Sequence, residues 1–147
     1  MSTTAEYRVR QAIWPTDEPG IRHVREIVFV QEQAVPADLE WDGEDEHCIH
    51  ALVEGITGEA IGTGRLATDG KIGRMAVLAP WRGRGVGDCI LVLLVGAARE
   101  AGMRRCYLHS QTHALGFYAK HGFVAHGPEF MEADIPHREM ELELKHE

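Results

Sequence analysis

Arg82-Gly83-Arg84-Gly85-Val86-Gly87 has the composition of an anion cradle. Alternating glycines let a backbone pass close to a ligand with several N–H groups turned the same way, and Arg82 and Arg84 stand beside them. Upstream lies the apolar run Gly73-Arg74-Met75-Ala76-Val77-Leu78-Ala79-Pro80, with the character of a strand closed by proline. Downstream, Val86, Ile90, Leu93, Leu94, Ala97 and Ala101 recur at helical spacing. A helix that begins there adds unsatisfied donors and the positive end of its dipole. The spacing is not that of the Walker loop, because no Lys-Ser or Lys-Thr follows the glycines. It is not the dinucleotide fingerprint either, because the glycines stop at Gly87 and Asp88 follows.

The pattern that fits is R-x-x-G-x-G, at Arg82, Gly85 and Gly87. It resembles the loop with which the GCN5-related N-acetyltransferase (GNAT) family holds the pyrophosphate of coenzyme A. Ala114-Leu115-Gly116-Phe117-Tyr118-Ala119-Lys120-His121-Gly122-Phe123 resembles the family's second hallmark, A-x-x-F-Y-x-x-x-G-F, in the same order and at the same distance. Two further segments are similar to an ElaA/YjcF-like branch of the family. They are Arg25-Glu26-Ile27-Val28-Phe29-Val30-Gln31-Glu32-Gln33-Ala34-Val35-Pro36 and Phe130-Met131-Glu132-Ala133-Asp134-Ile135-Pro136-His137. Part of the first segment also resembles acyl-homoserine-lactone synthases, which share the fold.

The resemblance covers nearly the whole chain. It implies one α+β domain over residues 1–147, with a mixed, mostly antiparallel sheet splayed between strands 4 and 5 and flanked by helices. It also implies an acyltransferase that uses acetyl-CoA, without a metal, to acetylate a primary amine of a small molecule. The fourth strand falls at 71–78, where the backbone of Met75, Ala76 and Val77 would pair with the pantetheine arm as a strand edge offered to a ligand. Arg82, Gly83, Arg84, Gly85, Val86 and Gly87 would hold the pyrophosphate. Gln111 stands where many members carry a cofactor-contacting asparagine, and Tyr118 is the implied cofactor contact and general acid. Dimers are common in the family, so the resemblance admits a homodimer. A non-catalytic acyl-CoA sensor would keep the same cradle, and a lactone synthase the same fold.

Acetyl transfer needs a neutral amine, a polarised thioester carbonyl and a proton for the leaving thiolate. A free alkylamine titrates near ~10 and a thiol near ~8.5, so both ends need proton management at neutral pH. Backbone N–H groups near Val77 would serve as an oxyanion hole. Glu32 in the first helical segment, His109 at the end of the fifth strand and His137 in the tail are the candidate bases, with Glu32 and His109 ranked first. Glu32, Gln33 and His137 are the candidate acceptor contacts. Strand phase puts His137 with Glu139, Glu141 and Glu143, on the exposed face unless Pro136 resets the register. Asp88 suits the helix dipole, yet its carboxylate would repel a bound pyrophosphate if it turned inward.

These groups must be positioned by a first strand from Tyr7 to Trp14 and by a helix carrying Ile21, Val24, Ile27 and Val28, although the run 27–30 is also β-prone. Strands at 47–54 and 59–68, a hairpin at Asp69-Gly70, the cradle helix, a strand at 104–110, the tyrosine helix, a strand near 123–126 and an alternating tail through Met140, Leu142 and Leu144 complete the order. Between the first helix and the second strand, Asp38, Glu40, Asp42, Glu44, Asp45 and Glu46 crowd together, as a solvated acidic loop or as a funnel for a cationic amine.

The 147 residues suffice for one hydrophobic core. A formal net charge of −8 disfavours nucleic acid as a partner, no apolar run approaches a membrane span, and the N-terminus does not read as a signal peptide. Cys48, Cys89 and Cys106 form no C-x-x-C pair, which is the expectation for reduced thiols in a cytoplasmic protein. His47 and His50, three apart on an expected strand, would point to opposite faces rather than share a metal.

Overall fold

The computed structural model describes residues 6–145. Strand β1 (Tyr7–Gln11) leads to helix α1 (Glu18–Arg25), where Pro19 sits in the first turn and sacrifices no intrahelical hydrogen bond. Ile21, Val24 and Val28 form the buried stripe. The β-prone run does not become a strand. It continues α1 as a π-helical segment, Glu26–Glu32, closed by the Gln33 N–H on the Val28 carbonyl at 3.1 Å. The wider turn re-aims the polar residues at its end, Glu32 and Gln33. A short helix α2 (Ala37–Glu40) follows.

Strands β2 (Ile49–Gly55), β3 (Ala60–Leu66), β4 (Lys71–Val77), β5 (Arg105–Gln111), β6 (Val124–Glu132) and β7 (Ile135–Glu143) join β1 in a seven-stranded sheet, in the order β1-β2-β3-β4-β5-β7-β6. Only β4 and β5 run parallel. Helix α3 (Val86–Glu100) covers one face, burying Ile90, Leu91, Leu94 and Ala98 against Ala51, Val53, Ile61 and Ile72. It lies close because β3 carries glycine at Gly64, where a Cβ would stand 2.5 Å from Ile90 and 3.0 Å from Leu94. Helix α1 and its π-helical extension cover the other face, through Val24 and Val28 on Ala76.

The expected splay between β4 and β5 is present and has a local cause. The two strands pair only at Lys71↔Tyr107 and Ile72↔Leu108. Beyond that point the β3–β4 register passes from Arg65↔Gly73 to Thr63↔Ala76, so Arg74 and Met75 together oppose Gly64. This bulge, with Arg74 at φ 52°, bends β4 away from β5 and opens a V.

Three expectations are corrected. The acidic segment is solvated only in part and is not a free-standing funnel: Asp38, Glu44 and Glu46 are exposed, whereas Glu40 and Asp45 are buried and Asp42 joins them against Arg25, Arg65 and Arg74. The strand expected near 123–126 extends to Glu132 and hairpins through Ala133 and Asp134, both left-handed, into a final strand that begins at Ile135. Gly127 and Pro128 fall inside this strand, and an edge strand tolerates them where the register skips between His126 and Phe130. His47 lies in a short 3-10 turn, Asp45–His47, rather than on β2, and only His50 is buried.

Candidate active site

The cradle forms as its composition requires. Gly83 and Gly85 take the left-handed conformation at φ 77° and 83°, and Gly85 is the N-cap of α3, which no side chain caps. At Gly87 a Cβ would stand 3.2 Å from the ring of Phe117, so glycine lets helix α4 (Leu115–Ala119) sit beside the loop. The Tyr7 hydroxyl donates to the Arg84 carbonyl at 2.7 Å and braces the loop against β1. A cavity of about 380 Å³ lies here, walled by Val77, Trp81, every loop residue but Arg84, and by Asp88, Phe117 and Lys120.

Its charges are already partly engaged. Arg82 donates from Nε to the Val77 carbonyl at 2.8 Å and from Nη2 to Glu32 at 2.5 Å, so it braces the end of β4. Asp88, whose orientation decides its effect on an anion, is drawn toward α4 by His121 at 2.7 Å and Lys120 at 3.1 Å. The hydrogen bond to His121 holds its carboxyl below the usual range.

A second cavity, of about 450 Å³, fills the V between β4 and β5. Phe29, Val35, Leu39 and Ile135 give it apolar wall, while Gln33, Lys71, His109, Gln111, Glu132 and His137 supply polar groups. Tyr118 is set into its side. Burial pushes the phenol up to about 12, and the hydroxyl donates to the thioether of Met75, a weak acceptor, at 3.7 Å. Neighbouring residues of α4 thus serve neighbouring cavities, Phe117 the cradle and Tyr118 the V.

A GNAT acetyltransferase domain model matches residues 17–144. The chain belongs to the GNAT acetyltransferase family. This GNAT chain is 42% identical over 123 residues to YjcF of Bacillus subtilis strain 168, described as an uncharacterized N-acetyltransferase, an alignment that covers 80% of this chain and 86% of YjcF. Among solved structures, an acyl-CoA N-acyltransferase from Pseudomonas aeruginosa superposes with a TM-score of 0.78 at 27% identity, covering 92% of this chain and 97% of that one. Escherichia coli ElaA does so with a TM-score of 0.78 at 25% identity over the same shares. The protein is therefore an acyltransferase with the GNAT fold, and the likeness to the ElaA/YjcF branch holds in sequence and in fold.

Within this GNAT fold the expected site residues divide. Gln33, His109, Gln111, Tyr118 and His137 all line the V, and Gln111 Nε2 donates to Gln33 Oε1 at 2.9 Å. Glu32 does not line it, because it is spent on Arg82 at the cradle rim. His137 does share a strand phase with Glu139, Glu141 and Glu143, which stay partly or fully exposed, but at its own end the face is the cavity wall and only 8% of the His137 side chain is exposed. Sequence reasoning passed over Glu132, which accepts from His109 Nδ1 at 2.9 Å with one oxygen and faces His137 Nε2 at 3.8 Å with the other. The available signal was its place three residues before the Ile135-Pro136-His137 end of a matched segment.

Proposed function

We propose that this acetyltransferase moves the acetyl group of acetyl-CoA to a primary amine of a small molecule by direct transfer in a ternary complex. The observation that carries this reading is the adjacency of the two cavities across α4. A donor whose diphosphate rests on the Gly83–Gly87 backbone and the uncapped start of α3 has its thioester end beside Tyr118, in the V. The residues fit such a donor: left-handed glycines keep side chains out of the cradle, the cations Arg82 and Lys120 stand in its wall, and β4 beyond Ile72 has no β5 pairing.

The amine enters from the open side of the V and loses one proton to a base there, where His109 and His137 stand. Its lone pair then attacks the thioester carbonyl, whose oxygen takes hydrogen bonds from backbone N–H groups near Val77. As the C–S bond breaks, Tyr118 donates its proton to sulfur and regains one from the acetylated nitrogen. The net change is ammonium plus thioester to amide, thiol and one released proton. Burial keeps Tyr118 in its neutral, donating form throughout the neutral range.

The deciding experiment is release of free thiol from acetyl-CoA across a panel of amines and aminosugars. Release with an amine, with matching N-acetylated product by mass, supports the reading. Saturable acetyl-CoA binding with no thiol release on any acceptor would replace it with an acyl-CoA sensor.

A further inference from the structure

At the mouth of the V, the end of β5, the end of β6 and the start of β7 lie side by side in the register Gln111↔His137↔Phe130. The His137 ring stacks on Phe130 at 6.0 Å between centroids, and its Nδ1 is 2.6 Å from the Ile135 carbonyl oxygen. A carbonyl only accepts, so Nδ1 carries the hydrogen and the lone pair of neutral His137 sits on Nε2. That atom faces Glu132 Oε2 at 3.8 Å, beyond hydrogen-bonding distance. The other Glu132 oxygen is occupied by His109 Nδ1, and His109 Nε2 in turn lies 3.6 Å from Glu139. Burial would raise the Glu132 carboxyl, but the hydrogen bond from His109 and the charge of Lys71 oppose it, and the group lies below its usual range.

With His137 neutral, two acceptors therefore face one another at 3.8 Å with no hydrogen between them. They converge on the cavity wall, one of them on a side chain that is more than nine-tenths buried. The remaining charges around the cavity are placed differently. Lys71 and Arg74 come from β4, and Arg74 is paired to Glu40 and Asp42; Glu40 of α2 is taken by Arg25; His113 follows β5. What the gap lacks is a small donor with more than one N–H.

We propose that Glu132 Oε2 and His137 Nε2 form a socket for the acceptor nitrogen, which selects acceptors that arrive as alkylammonium cations and makes His137 the group that removes the first proton. This rests on the transfer reading above and deepens it. The ammonium donates one N–H to Glu132 and one to His137. The second N–H bond breaks with its electron pair left on the amine nitrogen, and the new N–H bond forms at His137 Nε2. The resulting imidazolium stands beside the Glu132 carboxylate, which stabilises it. His109 acts as a positioning residue, holding Glu132 through Nδ1.

The test is nitrogen-detected NMR of the histidine side chains in the full chain with bound CoA, titrated with 2-phenylethylamine and, separately, with the uncharged isostere 2-phenylethanol. The expected result is a His137 with hydrogen on Nδ1, whose Nε2 resonance moves with the amine and not with the alcohol. In Glu132→Gln the apparent Kd for the amine rises roughly tenfold, the loss expected for one hydrogen bond to a charged group, while the Kd for CoA stays within twofold and reports an intact fold. Equal responses to amine and alcohol, or an unchanged amine Kd in Glu132→Gln, would overturn the socket. Thiol release from acetyl-CoA with 2-phenylethylamine, assayed on the same protein without added CoA, separates the two readings: release with a silent His137 sinks the socket alone, and a responding His137 without release leaves the socket standing and counts against transfer.

Discussion

Tyr118 and Asp88 show how one neighbour sets what a side chain can do. Because burial pushes the Tyr118 phenol up to about 12, its protonated form persists far above neutrality. A general acid is active only while protonated, so kcat is expected to show no alkaline fall assignable to Tyr118 between pH 7 and about 10, close to where an ordinary tyrosine would begin to ionise. Tyr118→Phe should lower kcat by about 10²-fold or more while the KM for acetyl-CoA stays within about twofold; steady-state thiol release across pH checks both. Asp88 opposes an anion at the cradle, yet it is held by His121 and Lys120. Asp88→Asn removes a like charge from the helix start and frees Lys120. CoA should bind about 2–5-fold more tightly at low salt, measured by calorimetry, with the gain fading as salt rises.

At the scale of elements, polar residues of the matched first segment each anchor a different part of the site. Arg25 ties α1 to α2 and the following turn through Glu40 at 2.6 Å and Asp45 at 2.7 Å, Glu32 ties the π-helical end to Arg82, and Gln33 reaches Gln111 on β5. Arg25 is fully buried, so Arg25→Met leaves two buried carboxylates without their main partner. Urea unfolding should show a loss of about 3–5 kcal/mol, and Arg25→Met with Glu40→Met should recover part of it. On the opposite face, Gly64→Ala places a methyl 2.5 Å from the Ile90 side chain and should cost about 1–3 kcal/mol by displacing α3. These are tests of packing, and neither Arg25→Met nor Gly64→Ala replaces a residue that lines the cavity.

For the whole molecule, the ion pairs set the response to acid. Hydrogen bonds from Arg65 hold Asp42 well below the usual carboxylate range, and those from Arg10 lower Asp17. A carboxyl depressed in the folded state contributes stability that is present above its unfolded value of about 4 and is lost as pH falls through the folded value. Burial pushes Glu40 the other way, so it opposes part of this slope. The expected outcome is a Tm that falls steeply below about pH 4, and a shallower fall in Asp42→Asn; thermal melts from pH 7 to 2.5 measure it.

The sequence by itself determined what depends on local backbone chemistry. Glycines at left-handed positions, a helix start behind them and an aromatic helix ending in Gly122 specify the cradle and Tyr118 wherever the chain folds, because φ preference and helical period act over a few residues. The family followed from those motifs. Only the tertiary structure decided which charges are used up and which remain. Six acidic residues look alike along the chain, but three of them close on arginines from α1, β3 and β4, and two of those, Glu40 and Asp45, are buried. Glu32 was drawn to the cradle and away from the cavity, His137 was turned into the cavity wall, and Glu132 was brought beside it by the β6–β7 hairpin. Charge pairing and burial depend on separations of 3 to 4 Å between residues tens of positions apart. That information lies in strand register and helix packing, which a local pattern does not contain.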